Sequence, residues 1–166
     1  MDDPLIDVAA FDALSPMAAG TLLTPVCASN AWIVAMVATR PHGTLDLLRT
    51  RSDEALAALE WPDIQQALDA HPRIGERARA EGLESTWSQA EQSGVVDADA
   101  EALREGNIEY EQRFGHVFLI CATGLTSAQM LAALRERLGH DEAAERVVVR
   151  AELTKIVRLR LQKTFR

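Results

Sequence analysis

The chain has 166 residues, of which 48% are hydrophobic and 25% are charged, and its formal net charge is -8. This size and composition are typical of one globular domain, residues 1–166, that buries a core without disulfides or a structural metal. The acidic balance excludes most nucleic-acid binders, because neutralising phosphates requires a surplus of Lys and Arg.

Membrane and redox signals are also missing from the sequence. No apolar run is long enough to span a bilayer, and the acidic start at residues 1–4 differs from the basic start of a signal peptide, so we expect no membrane partner and a cytoplasmic location. Cys27 and Cys121 form neither a CxxC pair nor a metal-ligand cluster. We expect both thiols to be reduced and to serve as small packing residues.

Helix start signals recur along the chain and predict an all-α fold of about eight or nine helices. The residues that resemble caps or first-turn positions are, in chain order, Ser15-Pro16, Thr44, Ser52, Trp61-Pro62, Ser85, Asp97, Ser127 and Asp141. Pro72 ends one predicted helix, and Gly94, Gly115 and Gly139 stand where left-handed C-terminal caps are expected. Alternating strand patterns are nearly absent.

The predicted helix over residues 98–114 places Leu103, Asn107, Tyr110 and Phe114 on one face, so Asn107 should point inward. Residues 117–122 form an apolar run that periodicity alone cannot assign to a strand or a buried helix. We favour the start of a buried helix.

Common nucleotide and zinc motifs are absent, so titratable residues at unusual positions become the candidates for chemistry. His71 lies at the corner where Pro72 stops a helix, and such a corner can project an imidazole into a cleft or simply hold a structural histidine. His42 and His140 lie beside glycines in polar connecting segments, where a surface role is expected.

A second polar group follows Ser85. Ser88, Glu91 and Gln92 have the i, i+3, i+4 spacing that places a hydroxyl, a carboxylate and an amide on one helical face. Taken alone, these residues are better explained by an exposed polar face with a capping box.

Several motifs together resemble those of the 2-oxo-4-hydroxy-4-carboxy-5-ureidoimidazoline (OHCU) decarboxylase family. In order they are FDALS (11–15), AHPRIG (70–75), SQAEQ (88–92), NIEY (107–110), RFG (113–115), FLICA (118–122), KI (155–156) and LRL (159–161). The resemblance covers essentially the whole chain, although no single motif is decisive. One departure is visible, since His116 and Val117 stand where many members have an aromatic residue and a proline.

The resemblance implies a helical homodimer that decarboxylates a small-molecule substrate to S-allantoin in uric acid degradation, without cofactor or metal. It implies that His71 is the catalytic proton donor and that Glu91 assists it. The substrate-binding residues it implies are Pro72, Ser88, Gln89, Ala90, Gln92, Phe118, Leu119, Ile120, Cys121, Ala122 and the anion-binding Arg160. His116 could be a second titratable group, although packing is the simpler role.

Two other classes of function compete with this hypothesis. A non-catalytic helical interaction module derived from the same family would leave the substrate's decay unchanged. A metal-dependent hydrolase that uses His71, Glu91 and His116 would need tighter ligand spacing than the sequence has.

Overall fold

The structure, a computed structural model, describes residues 5–74 and 97–166. These residues contain eight α-helices and no β-strand, which confirms the predicted all-α class. The helices are α1 (Val8–Asp12), α2 (Pro16–Leu23), α3 (Asn30–Ala38), α4 (Leu45–Ala58), α5 (Trp61–Asp69), α6 (Asp97–Phe114), α7 (Ser127–Arg137) and α8 (Glu142–Thr164).

The chain divides into two compact units. The first contains residues 5–67 and 154–166, and the second contains the described parts of residues 68–153. Helices α5 and α8 therefore each begin in one unit and end in the other.

Helices α3 and α4 in the first unit are joined by a buried side-chain hydrogen bond. The indole Nε1 of Trp32 donates to Ser52 Oγ at 3.1 Å, and neither residue is exposed. Ser52 therefore lies inside α4, so the prediction that it caps a new helix was wrong. Its hydroxyl satisfies the one polar atom of a buried indole, which requires an acceptor inside the core.

His42 is also buried in the first unit, which contradicts its predicted surface position. Its ring stacks on Phe11 with centroids 6.1 Å apart, and its Nε2 lies 3.0 Å from the Met36 carbonyl oxygen. The Asp12 carboxylate accepts hydrogen bonds from the backbone N–H groups of His42 and Gly43. These local contacts draw the histidine inward although its sequence neighbours are polar.

The second unit is built around the packing of α6 against α7. Leu103, Tyr110, Met130 and Leu134 are fully buried there, and Asn107 is 1% exposed, as the helical periodicity of α6 predicts. Gly106 lies against the Leu134 side chain so closely that a Cβ would collide with its terminal methyl group. A glycine at this position allows the two helices to approach.

Helix ends agree with most of the predicted signals. Ser15 and Thr44 are N-caps, and Gly115 has a φ of +77° after α6, the left-handed conformation expected of a C-cap. Gly139 was predicted to be left-handed as well, but its φ is not positive. Ser85 and Gly94 lie outside the described residues.

Candidate active site

His71 lies at a corner directly after α5, as its sequence position predicted. Its side chain is buried, with 8% of the residue exposed, and its backbone N–H donates to the Leu68 carbonyl at 2.9 Å. Pro72 follows, where α5 has already ended at Asp69. A buried histidine at a helix end is an arrangement in which proton transfer to a bound molecule is feasible.

Two side chains of α6 hold the residues after His71. Asn107 Nδ2 donates to the Ile74 carbonyl oxygen at 2.8 Å. Glu111 accepts two hydrogen bonds from Arg73, with Nε to Oε1 at 2.5 Å and the terminal nitrogen to Oε2 at 2.8 Å. The corner is therefore anchored on its C-terminal side by residues far along the chain.

Five of the predicted catalytic and substrate-binding residues lie outside the described residues: Ser88, Gln89, Ala90, Glu91 and Gln92. Their roles remain predictions from the resemblance.

Residues 117–122 form a buried segment that is neither helix nor strand, so the expectation of a helix start was wrong. Two side chains replace helical hydrogen bonds here. Arg137 donates from a terminal nitrogen to the Leu119 carbonyl at 2.7 Å, and the Glu152 carboxylate accepts the Cys121 backbone N–H at 2.7 Å. Glycines with positive φ stand on either side, Gly115 and Gly124, and allow the sharp changes in chain direction.

The burial and hydrogen bonding of this segment restrict how it could contact a bound molecule. Phe118, Leu119, Ile120 and Ala122 are all buried, and Cys121 is half-buried. The Cys121 N–H is already used by Glu152. Any backbone contact from Cys121 to a substrate must therefore come from its carbonyl group.

A buried charged cluster contacts this segment through Arg137. It is formed by Tyr110, Arg137, His140 and Glu145. The Glu145 carboxylate accepts hydrogen bonds from Tyr110 Oη at 2.5 Å and from Arg137 Nε at 2.8 Å, and it lies 2.9 Å from His140 Nδ1. The Arg137 guanidinium also lies 4.4 Å from the centre of the Phe118 ring. This buried charged cluster thus fixes both the carbonyl of Leu119 and the ring of Phe118.

The ionisation of the cluster follows from its contacts. Burial raises the pKa of Glu145, but hydrogen bonds from Arg137 and Tyr110 and the positive charge of Arg137 outweigh it, so the net pKa lies below its usual value. Burial and the adjacent Glu145 carboxylate raise the pKa of Tyr110, which stays protonated as a donor. Charge on this carboxylate is therefore stabilised by the fold.

This cluster was not predicted from the sequence. His140 was expected at the surface, and its side chain is 28% exposed, with its ring nitrogen on Glu145. Glu145 and Arg137 are eight residues apart and belong to different helices, a spacing that carries no signal in the sequence. Their charges would ordinarily be assigned to solvated helix faces.

His116 is half-buried and packs its ring edge-on against Tyr110, with centroids 5.5 Å apart. Its Nδ1 lies 3.0 Å from the Val117 carbonyl oxygen. These contacts agree with the predicted packing role.

Arg160 belongs to the first unit and is fully buried in α8. One terminal nitrogen donates to the carbonyl oxygens of Pro25 at 3.2 Å and Val26 at 3.5 Å. Its guanidinium is therefore oriented by backbone carbonyls rather than extended into solvent.

Metal and membrane features were searched within residues 5–74 and 97–166. These residues contain no group of three or more His, Cys, Asp or Glu side chains arranged to hold a metal ion. None of their helices is long and apolar enough to cross a bilayer.

Comparisons with known proteins agree with the resemblance found in the motifs. The family model described as OHCU decarboxylase matches residues 12–162. The chain is 32% identical to the 2-oxo-4-hydroxy-4-carboxy-5-ureidoimidazoline decarboxylase of Amia calva over 143 residues, which is 83% of this chain and 79% of that protein. It is also 32% identical to the uric acid degradation bifunctional protein TTL of Arabidopsis thaliana over 84% of its own length, but it spans only 45% of that protein.

A crystal structure of OHCU decarboxylase in the presence of (S)-allantoin has a similar fold. The TM-score is 0.74 at 27% sequence identity, and the match covers 85% of this chain and 94% of that one. Fold and relatives together define the class of protein as a carboxy-lyase. Since the family model matches nearly the whole length, the chain belongs to the OHCU decarboxylase family.

Proposed function

We propose that this protein decarboxylates OHCU to S-allantoin in uric acid degradation, with His71 transferring the proton and Glu91 assisting it. The observation that carries the proposal is the buried histidine at an anchored corner, in a chain that belongs to this family. The relative from Amia calva and the crystal structure supply the substrate and product by name.

The chemistry requires an electron sink, since loss of carbon dioxide leaves an electron pair on carbon. Many decarboxylases use a pyridoxal or thiamine cofactor for this purpose. OHCU carries its own sink in the conjugated imidazoline ring, which accepts the pair as an enolate-like system. We therefore propose that the reaction needs neither cofactor nor metal.

The proposed role of His71 covers both proton steps. It draws the proton from the substrate's hydroxyl group as the carboxylate leaves, and a proton is then delivered to one face of the ring carbon that bears the ureido group. An imidazole suits both steps because its unperturbed pKa is about 6.5, so it gives or takes a proton near neutral pH. Glu91 would orient the ring and favour one protonation state.

Substrate binding is assigned by the resemblance and supported in part by local geometry. Residues 118–122 are buried except for the half-buried Cys121, and Arg137 and Glu152 hold them, so they offer a preorganised backbone. Pro72 borders the His71 corner. Ser88, Gln89, Ala90 and Gln92 are proposed to contact the substrate, and Arg160 is proposed to bind an anionic or ureido oxygen through its planar guanidinium.

The test is a time course with freshly generated OHCU, in which ultraviolet absorbance follows substrate loss above its spontaneous decay. The wild-type protein should accelerate the loss, and His71→Asn should lower kcat by on the order of 100-fold or more while the thermal unfolding midpoint is preserved. Full turnover in His71→Asn would overturn the role of His71, and no acceleration by the wild type would support the non-catalytic module. The same assay after dialysis against a chelator should give unchanged turnover, and lost activity would contradict the metal-free reaction.

A further inference from the structure

The corner that contains His71 is fixed on both sides by hydrogen bonds. Before it, the His71 N–H is bonded to the Leu68 carbonyl, which ties the residue to the last turn of α5. After it, Arg73 is bonded to Glu111 and Ile74 to Asn107. Asn107 and Glu111 are four residues apart on α6 and share one helical face, so a single helix surface holds the C-terminal side of the corner.

Asn107 lowers the stability of the core in which it is buried. It is 1% exposed, and although its Nδ2 donates to Ile74, its Oδ1 has no hydrogen-bond partner among the described residues. A buried amide with an unsatisfied oxygen destabilises the fold relative to an apolar side chain of similar volume. Stability alone therefore does not explain an asparagine here, whereas the fixed position of the Ile74 carbonyl does.

Glu111 contributes differently. Its side chain is 23% exposed and that of Arg73 is 43% exposed, so solvent weakens the attraction between them. Its value lies in geometry, because the bidentate pairing restricts how Arg73 can move relative to α6. The buried Asn107 is expected to be the stronger anchor of the two.

We propose that Asn107, supported by Glu111, is a positioning residue that sets the orientation of the His71 imidazole. Asn107 fixes the backbone carbonyl three residues after His71, and Glu111 holds the side chain of Arg73 two residues after it. No contact with the substrate is required. The inference rests on the proposed role of His71 in proton transfer. Small displacements of a catalytic group reduce turnover strongly, because the reacting atoms must be aligned within a fraction of an ångström.

The experiment compares Asn107→Leu with the wild type. Leucine has the same branched arrangement of heavy atoms as asparagine, although it is larger, and it cannot donate the hydrogen bond to Ile74. Asn107→Ala, which cannot overfill the site, serves as a second variant if the first fails to fold. Glu111→Gln tests the weaker anchor. Its matched control is Glu101→Gln, which removes a carboxylate paired with Arg104 on the same helix but away from the corner.

Two readouts separate positioning from a general structural role. The first is the division between kcat and KM in the OHCU assay, where Asn107→Leu should lower kcat by roughly tenfold or more with little change in KM. The second is the NMR signal of the His71 ring during a pH titration, assigned by its loss in His71→Asn. Asn107→Leu should shift the His71 ring signals and leave those of His42 unchanged, while Glu101→Gln should shift neither.

The outcomes distinguish this inference from the proposed function. A wild-type kcat in the folded Asn107 variants, or unaltered His71 ring signals, would overturn the positioning role even if His71→Asn is inactive. A fully active His71→Asn would overturn the proposed role of His71 and, with it, the catalytic meaning of the anchor, although the ring signals of the wild type and the Asn107 variants would still report the contact. Equal losses of kcat in Glu111→Gln and Glu101→Gln would remove Glu111 from the anchor.

Discussion

Glu145 shows how much one residue can organise without leaving a signal in the sequence. Its carboxylate is fully buried, and Tyr110, Arg137 and His140 all direct polar atoms at it. Because its pKa is lowered in the folded protein, the charged form stabilises the fold at neutral pH. That contribution is lost as the pH falls below the ordinary pKa of a glutamate and through the lowered one.

We therefore predict that Glu145→Gln lowers the free energy of unfolding by about 3 kcal/mol at neutral pH, because it leaves Arg137 without its buried partner. The free energy of unfolding of the variant should also fall less than that of the wild type as the pH drops below the ordinary pKa of a glutamate. Denaturant unfolding at several pH values measures both effects. The matched control is Glu142→Gln, whose partner Arg146 is on the surface, and it should change little.

An unchanged slope of stability with pH in Glu145→Gln would show that the carboxylate does not carry the acid sensitivity. An equally large loss of unfolding free energy in Glu142→Gln would show that removing any carboxylate has this effect, whether or not the carboxylate is buried.

The positions of His71 and Asn107, in contrast to that of Glu145, could be predicted from the sequence. Pro72 defines the corner of His71, and the periodicity of α6 turns Asn107 inward. The partner of Asn107 could not be read, because Ile74 is 33 residues away and is contacted through its backbone carbonyl. Backbone acceptors carry no sequence signature.

At the scale of elements, α7 begins with a complete capping box. Thr126 Oγ1 accepts the Gln129 N–H at 3.2 Å, and the Gln129 side chain accepts the Thr126 N–H at 2.9 Å. The sequence predicted Ser127 as a cap or first-turn position, and Ser127 is the first residue of the helix, directly after the N-cap Thr126. The cap follows the 117–122 segment and begins α7, the helix that carries Arg137.

Thr126→Ala should lower the free energy of unfolding by about 1 kcal/mol, since it removes the hydroxyl that satisfies a first-turn N–H. Thr126→Ser keeps that hydroxyl and should retain nearly all of the stability. Equilibrium denaturation of the two variants is the measurement. Equal losses in both would mean that the methyl group of Thr126, rather than its hydroxyl, supports the helix start.

Elements with local signals were predicted well, and those determined by distant contacts were not. Caps at Ser15 and Thr44 were recognised because the capping side chain bonds to its own first turn. Ser52 imitates a cap in sequence, but its hydroxyl is taken by Trp32, twenty residues earlier. The apolar run at residues 117–122 fits a strand or a buried helix equally well. The side chains that hold its observed conformation, Arg137 and Glu152, come from distant parts of the chain.

At the scale of the whole molecule, the all-α class and the family were accessible from the sequence, because motif order survives where single motifs are ambiguous. The division into two compact units was not, since α5 and α8 run from one unit into the other without a linker of distinctive composition. A boundary that falls inside a helix has no linker composition to mark it in the sequence.

We propose that the protein is a homodimer, as the resemblance to its family implies. Size-exclusion chromatography with light scattering should then give twice the chain mass of 18.2 kDa over a tenfold range of concentration. A mass of one chain throughout that range would contradict the proposal.

The most direct test of proton transfer by His71 is the handedness of the allantoin formed from fresh OHCU, followed by circular dichroism during the reaction. If His71 delivers the proton to one face, the wild-type protein gives an excess of the S enantiomer, and His71→Asn, folded to the same extent, gives the racemate of spontaneous decay. An S excess of undiminished size in His71→Asn would contradict the claim that this imidazole controls the proton.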